Sequence, residues 1–129
     1  MTSILKKILH VEDESDIRAI AKMSLEKIGQ LEVESCASGQ DALDRVAAFA
    51  PDMVLLDAMM PEMDGPEVLK QLRARDDTNH IPIVFMTAKV QASEIEGYKF
   101  LGALEVISKP FDPMTPHQQL KDIWLANQS

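Results

Sequence analysis

Long hydrophobic runs are missing from this sequence, and with them any stretch of roughly 20 apolar residues able to cross a bilayer as a helix. Near Met1 there is no apolar segment followed by a small-residue cleavage site, so the N-terminus does not read as a secretory leader. A single cysteine, Cys36, leaves no partner for an internal disulfide, fits a reducing compartment and reads as a small core residue. Positive charge is in deficit. The 13 Lys and Arg face 21 Asp and Glu, and the formal net charge of -8 argues against affinity for nucleic-acid phosphates or anionic lipid surfaces. His10, His80 and His117 show no metal-ligand spacing. Nothing repeats at a fixed period, and no Gly/Ser, Pro or single-charge tract marks a linker. These absences describe a cytoplasmic protein whose partners are proteins or cations, without nucleic acid or membrane.

What is present is ordinary in amount and ordered in pattern. With 129 residues, 46% hydrophobic and 26% charged, the chain suits one domain over residues 1–129 with its core at about 6–125. Four short apolar runs each end on a polar residue. Ile8-Leu9-His10-Val11 leads into Glu12-Asp13, Met53-Val54-Leu55-Leu56 into Asp57, Ile83-Val84-Phe85-Met86 into Thr87, and Val106-Ile107-Ser108 into Lys109. Runs without polar alternation suit strands covered on both faces, as in a parallel sheet.

Between these runs the period changes to that of a helix. Ile17, Ile20, Ala21, Leu25 and Ile28 recur at helical spacing, and Gly29 follows as a stop. Leu31–Cys36 is β-prone, and Ser38 with Asp41 resembles a capping box before Ala42, Leu43, Val46 and Ala47, in a helix that ends before Pro51. After the strand Met53–Asp57, Pro66 suits the first position of a third helix carrying Val68, Leu69 and Leu72. Strand Ile83–Thr87, helix Ala92–Leu101 closed by Gly102, strand Glu105–Ser108 and a last helix through Leu120, Ile123 and Trp124 complete the series. That last helix begins at Asp112-Pro113 or at Thr115-Pro116. Alternation of strands and helices predicts right-handed βαβ units. The expected fold is α/β, a flavodoxin-like (βα)5 three-layer sandwich with its parallel sheet in the order 2-1-3-4-5.

In such a sheet the polar endings share one edge, where ligands bind outside the carboxyl ends of the strands. Glu12, Asp13 and Asp57 then converge, and carboxylates about 4 Å apart repel by several kcal/mol at an effective dielectric near 20. A hard divalent cation relieves that repulsion, and Mg2+ prefers oxygen ligands such as carboxylates, water and phosphate. Asp13 and Asp57 are expected to bind directly, with Glu12 acting through water. Lys109 supplies a point charge for a phosphate oxygen, and the Thr87 hydroxyl can donate to another. Asp57 is the natural nucleophile of this set, since aspartyl phosphate is an established covalent intermediate and a carboxylate needs no general base.

These residues resemble a response-regulator receiver domain, which takes a phosphoryl group from a histidine kinase onto an aspartate. The resemblance spans about Lys6 to Trp124 and rests on Val11-Glu12-Asp13-Glu14, Leu56-Asp57-Ala58-Met59-Met60-Pro61-Glu62-Met63-Asp64-Gly65, Met86-Thr87-Ala88 and Ser108-Lys109-Pro110-Phe111, in that order. It implies Asp57 as phosphoacceptor, Glu12 and Asp13 as the Mg2+ pair, the Met59 carbonyl as a third protein ligand, Thr87 as the phosphate-sensing hydroxyl and Lys109 as phosphate ligand. A cis Lys109-Pro110 bond is also implied. So are a sensor kinase or histidine phosphotransfer protein as donor, and a target that meets the face of helix four, strand five and helix five. Two positions depart from the family: Val106 stands where an aromatic residue is common three places before the lysine, and Pro116 where leucine is common.

Ending after a fifth helix, with no output module, the chain is expected to be a stand-alone phosphoprotein switch rather than an enzyme. The alternative is a small phosphatase of haloacid dehalogenase type, which also uses aspartate, lysine and Mg2+. Such enzymes carry an acid two residues after the nucleophile, and here that position is Met59. Flavin binding would suit the fold, but acids stand after the first strand where a phosphate-cradling loop is needed.

Overall fold

The computed structural model describes residues 4–88, 91–108 and 116–128. Strands β1 (Lys7–Val11), β2 (Glu32–Cys36), β3 (Met53–Asp57), β4 (Ile83–Thr87) and β5 (Glu105–Ser108) alternate with helices α1 (Ser15–Met23), α2 (Gly39–Phe49), α3 (Gly65–Arg73), α4 (Ala92–Leu101) and α5 (Pro116–Gln128). All strand pairs are parallel, in the order β2-β1-β3-β4-β5, as the sequence pattern predicts.

Successive strand residues point to opposite faces, and the apolar runs therefore feed two cores. Leu9, Val11, Val54, Leu56, Ile83 and Phe85 pack beneath Ala42, Leu43 and Val46 of α2 and Val68, Leu69 and Leu72 of α3. On the other face Ile8, Met53, Leu55, Val84, Met86 and Ile107 meet Leu25, Leu120 and Trp124. Every residue of β3 and β4 is buried. At roughly 1.5–3 kcal/mol for each large apolar side chain buried, these central strands dominate the stability of the sheet.

Four details differ from the sequence expectation. The first helix is interrupted: α1 gives way to a π-helical turn, Ser24–Ile28, in which Gly29 N–H donates to the Ser24 carbonyl at 3.1 Å. The wider turn takes up an extra residue, and the left-handed position falls on Gln30 (φ 58°) while Gly29 stays right-handed (φ -82°). Ala21 and Leu25 are buried as expected, but Ile20 and Ile28 of the predicted apolar face are exposed. Strand β2 begins at Glu32, one residue later than expected, and Gly65 takes the first position of α3 ahead of Pro66. At the fifth helix the described part begins at Pro116, and the earlier start at Asp112-Pro113 lies outside the described residues, as does Lys109-Pro110.

Cys36 closes β2 with no solvent exposure, and burial pushes its thiol up to about 12, with Asp41 and Glu34 adding to the effect and Arg45 opposing it. A thiol kept neutral is a poor nucleophile. Native protein is expected to leave Cys36 unreacted toward an aromatic disulfide reagent at pH 8, with full reaction on adding denaturant. Because the folded value lies above that of the unfolded chain, near 8.5, the associated stability is present below that pH. It is lost as pH climbs toward about 12, which a series of denaturant titrations at alkaline pH will read.

Candidate functional site

The chain runs from β1 out to β2 on one side, then returns to place β3 on the other. That reversal opens a crevice at the carboxyl ends of β1 and β3, the position where open α/β sheets bind ligands. Val11 pairs with Leu56 across it, which brings the residues that follow, Glu12 and Asp57, side by side. Glu12 N–H donates to the Cys36 carbonyl at 3.0 Å and Ala58 N–H to the Met86 carbonyl at 3.0 Å, so the sheet ladder continues through the acidic positions.

Ligand oxygens of Glu12, Asp13 and Asp57 all lie within 4.8 Å of one another. Glu12 and Asp57 are buried, with Asp57 only 3% exposed. Short local bonds orient them: Met59 N–H donates to Asp57 Oδ1 and Glu14 N–H to Glu12 Oε2, each at 3.3 Å. An all-oxygen set of three carboxylates is the donor chemistry a hard divalent cation requires. The residues therefore fit Mg2+.

The rim follows from the β3–α3 connection. Asp64 caps α3 by accepting from Glu67 N–H at 3.1 Å, and Gly65 N–H donates to the Ala58 carbonyl at 3.1 Å, folding the loop back over the end of β3. Met59, by contrast, stands 61% exposed at the mouth of the crevice. Thr87 is buried at the end of β4, next to β3 in the sheet, and pairs with Ser108 of β5. Lys109 follows Ser108 in the sequence and lies outside the described residues.

Residues 8–121 match the response regulator receiver domain. The chain belongs to that family. This receiver domain is 40% identical over 107 residues to sporulation initiation phosphotransferase F of Bacillus subtilis (strain 168), covering 83% of this chain and 84% of that one. It is 37% identical over 119 residues to the alkaline phosphatase synthesis transcriptional regulatory protein PhoP of the same strain, covering 92% of this chain and 48% of the regulator. Against such transcriptional regulators it spans about half of their length. Among solved structures, chemotaxis protein CheY4 of Vibrio cholerae superposes with a TM-score of 0.85 at 30% identity, covering 92% of this chain and 98% of that one. The receiver domain is a phosphoacceptor of two-component signalling, and the haloacid dehalogenase alternative is set aside by this family match.

Two residues beside the site escaped the sequence reading. Val106 is buried among the apolar side chains on the α2–α3 face, and an aromatic ring approaches from α4 instead: Tyr98 packs edge-on against Phe85, with centroids 4.8 Å apart and planes at 64°. Burial, then Glu94, Asp64 and Asp57, hold the Tyr98 hydroxyl above its usual value, which places this ring within the field of the acidic crevice. The spacing of Ile95 and Tyr98 was the available signal. The other residue is Arg18 of α1, whose guanidinium touches the main chain of the acidic pair. Nothing in an isolated helical arginine announces such a contact.

Proposed function

We propose that Asp57 is the phosphoacceptor of this receiver domain. The observation that carries the reading is a buried carboxylate at the end of the central strand with the ligand oxygens of Glu12 and Asp13 within 4.8 Å. One Asp57 oxygen attacks phosphorus in line, the new O–P bond forms, and the donor's bond to phosphorus breaks with its electron pair leaving on the donor group. Asp13, Asp57 and the Met59 carbonyl would hold Mg2+ directly and Glu12 through water, and the ion would supply positive charge for the phosphoryl oxygens. Thr87 donates its hydroxyl to one of those oxygens and Lys109 its charge to another. No second acid stands two residues past Asp57 to speed hydrolysis, so the group is stored rather than turned over, and the protein works as a switch rather than an enzyme.

The donor is a histidine kinase or histidine phosphotransfer protein acting in the cytoplasm, and phosphate changes affinity for a target protein. Exposed Met59, with Ile20 and Met23 along the helix that starts beside the acidic pair, suits contact with the donor. The α4–β5–α5 face suits the target: α4 has no buried residue, and Phe100, Leu101 and Leu125 are exposed. Residues 1–129 are read as one domain, as composition and length suggest.

The test is incubation with Mg2+ and acetyl phosphate, followed by intact mass. A single labile phosphoryl adduct is expected with Mg2+ and its loss with excess EDTA. No adduct under any metal condition would sink the proposal.

A further inference from the structure

We infer that Arg18 is a positioning residue for the metal-binding pair, acting through the main chain. The inference rests on the reading of Glu12 and Asp13 as cation ligands. Side chains on a helix lean toward its N-terminus. From its place in α1, Arg18 reaches back over Glu14, and Nη1 donates to the carbonyls of Glu12 at 2.8 Å and Asp13 at 3.0 Å. Its own N–H closes the first helical turn on the Glu14 carbonyl at 3.0 Å. One side chain thereby ties the helix start to the two peptide groups that follow β1.

Those peptide groups set the direction of the Asp13 side chain and the exit of Glu12. A peptide unit is planar, so pinning the carbonyls on either side of Asp13 fixes the plane before and after its Cα. The Glu14 N-cap position makes no side-chain capping bond, so the turn is ordered by the arginine together with the bond from Glu14 N–H to Glu12 Oε2. Charge-assisted bonds of this length are among the stronger ones available to a half-exposed side chain. A pre-ordered carboxylate pair loses less freedom when a cation binds, and outer contacts that orient ligands commonly change metal affinity about tenfold or more.

A simple counter-charge would act in the opposite sense. A fixed positive charge near the crevice repels a cation, and its removal alone would tighten Mg2+ binding. Calorimetric titration of Mg2+ into the 129-residue wild type, Arg18→Ala and Arg18→Lys separates these cases, alongside melting in EDTA. Positioning predicts binding weakened about tenfold in Arg18→Ala and less in Arg18→Lys, whose ammonium keeps the charge on a shorter stem. Tighter binding in Arg18→Ala overturns the inference in favour of a counter-charge. Unchanged Mg2+ affinity with a lowered metal-free melting temperature overturns it in favour of a structural role. If Arg18→Ala does not fold, Arg18→Lys decides alone: weakened binding supports positioning and wild-type affinity overturns it. Wild type that fails to bind Mg2+ overturns the metal reading itself, a result distinct from both.

Discussion

Asp57→Asn is expected to abolish the phosphoryl adduct and at the same time to raise the melting temperature of the metal-free protein. The first effect follows from chemistry: the amide has the size of the carboxylate but lacks its nucleophilic charge. Its oxygen can still accept from Met59 N–H, the bond that orients the native side chain. The second effect follows from crowding. With ligand oxygens within 4.8 Å of one another, each carboxylate pair repels by about 3 kcal/mol at an effective dielectric near 20. Solvent at Asp13 reduces that figure, and a net gain of about 1–2 kcal/mol remains after discounting. That corresponds to a rise of several degrees for a chain of this size. Saturating Mg2+ should narrow the gap, because the cation stabilises the wild type more. Persistence of an adduct in Asp57→Asn would show that another residue accepts the phosphoryl group. A variant melting below wild type in EDTA would show that the carboxylate contributes more by its bonds than it costs by repulsion.

Gly65→Ala is expected to disrupt both fold and site, although it adds one methyl group. A Cβ there would stand 2.7 Å from the Asp57 carbonyl, 2.8 Å from Ala58 Cα and 2.9 Å from the Phe85 ring. Two of these neighbours are main chain at the end of the central strand and cannot swing aside. The first turn of α3 must then retreat from β3, losing the bond from Gly65 N–H to the Ala58 carbonyl and shifting the loop that carries Met59. Overpacking of this kind costs about 1–3 kcal/mol or more. Urea unfolding should show the loss, and the rate of adduct formation should fall with it, since an error of about 1 Å in such a site can cost about a hundredfold. A variant with native stability and native phosphorylation would show that α3 can move without disturbing Asp57.

Much of the fold was legible in the residues. Strands Met53–Asp57, Ile83–Thr87 and Glu105–Ser108 and helix Ala92–Leu101 have the bounds their patterns imply. Each is a local signal, in which an unbroken apolar run marks a strand buried on both faces. The end of the first helix was not legible, because Ile17, Ile20, Ala21, Leu25 and Ile28 fit a regular helix. An i→i+5 bond at Ser24 shifted the later residues around the axis. Ile28 was thereby left outside the core, and Ile20, in the regular turn before that bond, is exposed as well. The turn after α2 shows the same limit: Ala50 adopts a left-handed φ of 51° before Pro51, a conformation that favours glycine or asparagine and that an alanine does not announce.

For the site, the residues alone name the chemistry present: three carboxylates, a threonine and a lysine at the ends of successive apolar runs, with no acid two residues after Asp57. How they are supported is a property of the folded chain. The 4.8 Å clustering of Glu12, Asp13 and Asp57, the reach of Arg18 to two carbonyls, the approach of Tyr98 to Phe85 and the absence of room at Gly65 all join atoms from different elements. Periodicity assigns a residue to a strand or a face. Distances of a few ångströms across those faces depend on register, helix docking and rotamer, which close packing settles for the molecule as a whole.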